Sequence, residues 1–252
     1  MDLVTSRLLA DLPHGFTTRA GGVSAAPFDA LNLGDQVGDD PAAVAENWRR
    51  LEAATGLGFA RVRQVHGARV VAAAAASSPG READAVVSSI TGVAACVAVA
   101  DCVPILLAAP GGRAVAAVHA GWRGTLALAA RAGAEALAEA PGGGGDLAAL
   151  RAAIGPSIGP CCYQVSADLA ARFAATFGPE VVVEGPGGPR LDLWQANARC
   201  LRAAGLVEVE VLGRCTACEP ATFFSHRRDA GRTGRLVGFA APRPISGRGA
   251  VP

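Results

Sequence analysis

The 252-residue sequence predicts an α+β domain in which helices cover β-sheets. Three observations carry this reading. About half of the residues, 51%, are hydrophobic, ample for a large core in a chain of this length. Short continuous apolar runs, such as residues 93–100, read as strands buried on both faces. Capped helix signals fall between them at irregular intervals, unlike a regular βαβ repeat. The chain shows no internal repeat and no interdomain linker, so 1–252 is read as a single domain.

The helices announce themselves through their ends. Asp40-Pro41 opens a helix through Leu51, with proline in its first position and Gly56 beyond its end. Ser166 opens another, ending near Phe177 before Gly178-Pro179. Asp192 opens a third, ending before Gly205. Residues 125–140 form a long Ala-rich helix stopped by Pro141, and the glycine run 142–145 is a loop. That run follows a helix and precedes no strong strand, so it makes a poor phosphate cradle. Strands are expected at 69–74, 85–88, 93–100, 105–109, 114–119, 152–154, 181–183, 207–212 and 236–240.

Charge and cysteine content narrow the function. The net charge is +1, so no basic surplus exists to hold nucleic acid or an anionic membrane. Every basic residue is Arg. The N-terminus does not read as a secretory signal. The longest apolar region, 92–110, is broken by Asp101 and Pro104 and reads as core rather than a membrane span. Seven cysteines, an odd number in a chain too long to need disulfide staples, suggest reduced thiols in the cytoplasm, some of them metal ligands.

Chemistry gathers at strand ends and adjoining turns. His66 lies in Gln-Val-His-Gly-Ala, and His119 ends an apolar strand that runs into Ala-Gly-Trp-Arg-Gly. Cys102 lies in Ala-Asp-Cys-Val-Pro, where a buried strand meets a charge and then a proline. Two imidazoles and a thiolate suit zinc and leave its fourth position open, as in catalytic sites. The spacings are not those of a local metal motif. The same residues admit a metal-free reading, with Cys102 as nucleophile and His119 as its base. The sequence leaves both readings open, together with the plain one of a core thiol and two hydrogen-bonded histidines. Asp101, beside Cys102, is a candidate catalytic group or a ligand-orienting one.

A resemblance bears on this choice. The segments HGFTTRAGGVSAAPFDALNLG (14–34), QVHG (64–67), ADAVVSS (83–89), VADCVPIL (99–106), VHAGWRGT (118–125), AAIGPSIGPCCYQV (152–165), LDLWQANARCL (191–201) and CTACEPATFFSHRRDAGRTGR (215–235) occur in order and span nearly the whole chain. Together they resemble the YfiH-type laccase-domain family, also called polyphenol oxidase or purine nucleoside phosphorylase. The resemblance implies a four-layer α/β/β/α sandwich shared with cysteine-hydrolase-like proteins. It places metal ligands on His66, Cys102 and His119. It also implies zinc-dependent phosphorolysis of adenosine, inosine and methylthioadenosine, and deamination of adenosine. The small-molecule partners are then a purine nucleoside and phosphate, with no nucleic acid or membrane, in a monomer or small homo-oligomer. Two alternatives accompany it: a copper-dependent phenol oxidase, and a wall-precursor editing hydrolase using Cys102 and His119. A pure scaffold role fits poorly, because buried polar ligands are costly to keep without function. Gln164 stands where the family pattern leads us to expect Glu.

Further candidates are weighed beside these. Arg19, next to a glycine pair, is the first choice for a phosphate contact, and Arg123 the second. Trp122 is a candidate purine stacker. Asn32 reads mainly as a turn residue, with a smaller claim on ligand. His226 and Arg228, in Ser-His-Arg-Arg-Asp, are candidates for a polar pocket. Cys161 and Cys162 read as turn-packing thiols, with Cys162 and Tyr163 as secondary ligand contacts. Cys215-Thr-Ala-Cys218 is not expected to hold metal, because adjacent Cys161 and Cys162 make an unsuitable second pair. The zinc-deaminase His-x-Glu is absent, so any deamination here is of another type. Trp48 and Trp194 read as core.

Overall fold

The computed structural model describes residues 1–74 and 80–243. The end of the expected domain, 244–252, and the segment 75–79 lie outside the described residues. The chain runs β1 (Leu3–Val4), β2 (His14–Thr17), α1 (Pro41–Thr55), β3 (Gly58–Ala60), β4 (Val70–Ala72), β5 (Ala85–Ser88), β6 (Val93–Val99), β7 (Val103–Ala108) and β8 (Val115–Ala120). It continues through α2 (Trp122–Leu126), α3 (Ala129–Glu139), β9 (Arg151–Ile154), α4 (Ala167–Phe177), β10 (Val182–Val183), β11 (Arg190–Leu191), α5 (Leu193–Ala203), β12 (Glu208–Val211) and β13 (Leu236–Ala240).

Two mixed sheets dominate. One has the order β1-β2-β13-β6-β3 and the other β12-β9-β7-β8-β5-β4, with β10 and β11 as a separate pair. The period-2 pattern of the central strands assigns their faces. Along β7, Leu106 and Ala108 meet Phe16, Ala95, Val97 and Ala240 of the first sheet. Ile105 and Leu107 point the other way, into a cluster with Ala130, Ala134 and Leu137 of α3, Phe173 of α4, and Ala196 and Leu201 of α5. Helix α1 covers the opposite face of the first sheet with Val44, Trp48 and Leu51 against Phe59 and Phe239. Because both faces of β7 and β8 are covered, the sequence there is continuously apolar. Gly133 permits close approach of α3, since a Cβ there would lie 2.4 Å from a Val118 methyl.

The capped helices form as expected. Asp40, Ser166 and Asp192 each accept a backbone N–H of the first turn, and Gly56 closes α1 in a left-handed conformation. Helix α1 runs on to Thr55, past the expected Leu51. The single helix expected over 125–140 is instead two, broken at Leu128, whose φ is +58°. Alanine favours helix along the whole stretch, so packing decides the break. Thr125 in α2 accepts a buried hydrogen bond from Asn197 of α5, while α3 lies along β8. Sequence reading missed β1, β2, β3 and β11, which are four residues or shorter and carry no alternating pattern.

Candidate metal centre and its cleft

The chain passes from the first sheet to the second between β6 and β7. Ala100, Asp101 and Cys102 make that corner, with Asp101 at φ +83°. His119 sits near the end of β8, opposite Pro104 of β7. His66, at φ +61°, lies in the turn between β3 and β4. One point of the fold thus collects the three ligand candidates. Their donor atoms lie within 4.8 Å of one another. Cys102 Sγ is 4.0 Å from His66 Nε2, and the two imidazoles meet edge-to-face with centroids 4.8 Å apart.

Asp84, at the head of β5 and 0% exposed, organises the cluster. Its Oδ1 accepts from His119 Nδ1–H at 2.8 Å and from the His66 N–H at 2.8 Å. Its Oδ2 accepts from the Gly67 N–H at 2.6 Å. One carboxylate therefore orients His119 through Nδ1–H, so that Nε2 is the nitrogen left to a metal once its own proton is lost, and holds the strained His66 turn. Burial opposes the charge on Asp84, yet these donors keep its carboxyl below the usual range. In the sequence Asp84 shows only as a single acid at the start of an apolar strand, ADAVVSS, with no partner in view.

The thiol and imidazole beside it polarise each other. Burial pushes Cys102 up, but the charge and hydrogen bond of His119, with help from His66, outweigh it and bring the thiol down to about 6. Burial pushes His119 down, but the Cys102 thiolate and Asp84 raise it to about 9. In the metal-free chain this is a thiolate–imidazolium pair. The donor set, one sulfur and two ring nitrogens with one imidazole already oriented by a carboxylate, fits a borderline-soft cation.

The cluster opens onto a cleft of about 620 Å³. Asp101, Trp122, Arg123 and His226, candidates from sequence, line it. Asp101 is held rather than free: its carboxylate accepts from Thr216 Oγ1 and from the Arg227 N–H, both at 2.6 Å. Tyr163, a secondary candidate from sequence, also lines it, and the structure adds Arg227 and Arg235. Arg227 covers the Tyr163 ring at 5.0 Å, and Arg123 covers the Trp122 ring at 4.3 Å. Burial raises the Tyr163 phenol to about 12, with the Cys102 charge reinforcing it, so it stays a donor at neutral pH.

Four residues selected from sequence lie outside the cleft lining. Arg19 is not in the lining, because its guanidinium is spent on Asp29 and the Pro220 carbonyl. Asn32 is fully buried, accepts from the Gly34 and Arg235 N–H groups, and donates to Asp39. Arg228 binds Asp229 and the carbonyls of Thr216 and Phe223. Cys162 faces Cys218 at 3.4 Å instead of the cleft. Gln164 donates to the Gly187 carbonyl, outside the lining. Cys215 and Cys218, not expected from sequence to hold metal with Cys161 and Cys162, do meet them: all four sulfurs lie within 4.8 Å of one another. Sequence spacing does not show that two turns, one after β9 and one after β12, are laid side by side. Among the described residues no helix is long and apolar enough to cross a membrane.

Comparison with known proteins identifies the family. Residues 13–243 match the family described as multi-copper polyphenol oxidoreductase laccase. A purine nucleoside phosphorylase of Deinococcus radiodurans is 46% identical over 229 residues, covering 89% of this chain and 87% of its own. A purine nucleoside phosphorylase of Mycobacterium tuberculosis is 41% identical, covering 88% of each. The crystal structure of YlmD from Geobacillus stearothermophilus superimposes with a TM-score of 0.85 at 36% identity, covering 95% of this chain and 94% of that one. That of a Bacillus licheniformis YfiH protein gives 0.84 at 30% identity, covering 91% and 92%. With its two mixed sheets, its His–Cys–His cluster and a match over nearly its full length, the chain belongs to the laccase-like YfiH/YlmD family.

Proposed function

We propose that this chain is a zinc-dependent purine nucleoside phosphorylase acting on adenosine, inosine and methylthioadenosine, with adenosine deaminase activity. The observation that carries the reading is the convergence of His66, Cys102 and His119 on a cleft that also holds aromatic rings and arginines. His66, Cys102 and His119 would hold the metal, which when bound supplies Lewis-acid polarisation to a group at its open position. Trp122 and Tyr163 offer faces for a purine. Arg123, Arg227 and Arg235 bring positive charge to a phosphate, and Arg123 makes no ion pair among the described residues. Asp84 orients His119 through Nδ1–H, and Asp101 holds the corner that carries Cys102. In phosphorolysis, phosphate oxygen bonds to the ribose anomeric carbon as the glycosidic bond breaks. The base leaves with its electron pair and takes a proton. In deamination, water replaces the exocyclic amine, which leaves as ammonia.

We read the packing of helix on sheet, sheet on sheet and sheet on helices as a four-layer α/β/β/α sandwich of the cysteine-hydrolase-like type. We read 1–252 as one cytoplasmic domain, a monomer or small homo-oligomer, with no nucleic-acid or membrane partner. The test is product analysis with adenosine, with and without phosphate. Adenine and ribose 1-phosphate appearing only with phosphate support phosphorolysis, and inosine supports deamination. The thiolate–imidazolium pair favours one competing reading, a Cys102–His119 hydrolase. Metal-replete protein that leaves all three nucleosides intact but cleaves a wall-precursor peptide would establish that reading instead.

A further inference from the structure

The loops that follow β9 and β12 bring four cysteines together outside the cleft lining. Cys218 Sγ lies 3.5 Å from Cys161 Sγ and 3.4 Å from Cys162 Sγ, and the full set of four sulfurs falls within 4.8 Å. All four are free thiols. Four thiolates arranged tetrahedrally at about 2.3 Å from zinc stand about 3.8 Å apart, inside that spread. Cys161 and Cys218 are exposed, so filling the core does not account for them.

The local backbone explains the convergence. The Cys162 and Tyr163 N–H groups both donate to the Gly159 carbonyl at 3.0 Å, a tight turn that brings adjacent cysteines to a common side. Cys215 to Cys218 form a second turn, closed by the Glu219 N–H on the Cys215 carbonyl at 3.2 Å. A parallel bridge between Ser157 and Cys215 holds the two turns in register. Cys215 Sγ accepts from the Gly159 N–H at 3.3 Å. A backbone donor aimed at the sulfur stabilises a thiolate more than a neutral thiol.

We propose that Cys161, Cys162, Cys215 and Cys218 form a second metal site, a closed tetrathiolate zinc centre separate from His66, Cys102 and His119. Binding one Zn²⁺ releases up to four thiol protons and leaves a centre of net charge −2. Four protein ligands leave no open position, so the role is structural. The staple ties the two loops that buttress the cleft. Thr216, between two of the ligands, donates to Asp101, and the Ile158 N–H donates to the Asp101 carbonyl at 3.0 Å. Asp101 adjoins Cys102, while Ile158 and Tyr163 line the cleft. The proposal is independent of which substrate the cleft takes.

The test is metal stoichiometry in full-length protein purified under reducing conditions. Two zinc ions per chain are expected, falling to one in Cys215→Ser/Cys218→Ser and to one in His119→Ala. Cobalt-substituted His119→Ala should keep the intense sulfur-to-metal absorption of a tetrathiolate, and the double cysteine variant should lose it. One zinc per chain that survives Cys215→Ser/Cys218→Ser overturns the proposal. So does a disulfide from Cys218 to Cys161 or Cys162 in protein alkylated before isolation. Should the double variant fail to fold, stepwise mercurial modification of His119→Ala decides the matter. Release of one zinc as four thiols react supports the site, and release of none overturns it.

Discussion

Replacing Asp84 with Asn tests whether one buried carboxylate sets up the metal centre. The substitution keeps size and removes charge. If the amide oxygen takes the Oδ1 position, it still accepts from the His66 N–H and His119 Nδ1–H, but the NH2 then meets the Gly67 N–H donor to donor. If the amide is reversed, its NH2 faces His119 and drives the proton to Nε2, removing the lone pair a metal needs. Either way one buried donor is left unmatched, a cost of about 1–3 kcal/mol. For a domain of this size that lowers Tm by about 2–12 °C. Loss of a carboxylate behind a ligating histidine weakens metal binding by about 10–100-fold, or about 1.4–2.7 kcal/mol. Competition with a chromophoric chelator measures the affinity, and thermal unfolding of the metal-free protein measures the rest. An Asp84→Asn variant that binds zinc within twofold of wild type would refute the assignment of Asp84 as the orienting group.

Other expectations follow from the same geometry. Gly121→Ala should empty the His–Cys–His centre while sparing the fold. The backbone there (φ −70°, ψ 178°) accepts alanine, but its Cβ would lie 2.8 Å from Cys102 Sγ and 3.2 Å from His66 Cδ2; retained metal affinity would count against the site. His119→Ala should abolish nucleoside turnover, as judged by product chromatography, and cost the cleft centre its metal. In metal-stripped protein, Cys102 should alkylate as a thiolate down to about pH 6. The sign follows from a lowered folded pKa: the anion is present above that value and lost as pH falls through it. A rate that instead climbs only toward the ordinary thiol range would refute the Cys102–His119 pairing, and metal-loaded protein should resist the reagent.

The fold was legible where chemistry is local. Asp40, Ser166 and Asp192 mark helix starts because a side-chain oxygen must satisfy orphan N–H groups within one turn. Val93–Val99 and Val103–Ala108 are legible because burial on both faces demands continuous apolar sequence. The break at Leu128 was not, because the helix before it meets residues far along the chain, such as Asn197 on Thr125. The site divides in the same way. His66, Cys102 and His119 stand beside strand ends and turns that the sequence displays. In isolation Arg19 looks like an anion binder and Arg228 like a pocket residue, but Asp29 and Asp229 pair with them at contacts only the fold decides. The role of Asp84 is not legible, because an acid at the head of an apolar strand declares no partner until β5 and β8 pair.

The histidine inventory also limits what copper could do here. The chain has four histidines, and two of them belong to the cluster with Cys102. His14 has both ring nitrogens engaged, Nδ1 with the Leu12 carbonyl at 2.9 Å and Nε2 with the Ser6 N–H at 2.9 Å, and it is buried. That leaves His226, at the exposed side of the cleft. A multicopper oxidase needs a His–His–Cys copper for electron entry and a separate histidine-rich cluster to reduce oxygen. This chain can furnish the first donor set and, with one remaining histidine, not the second. Copper outcompetes zinc for nitrogen and sulfur ligands in general, so copper bound at the cleft would report the affinity order of the metals more than a built oxidase. The aromatic and arginine lining is explained better by a planar base and an anion than by electron transfer, which needs neither.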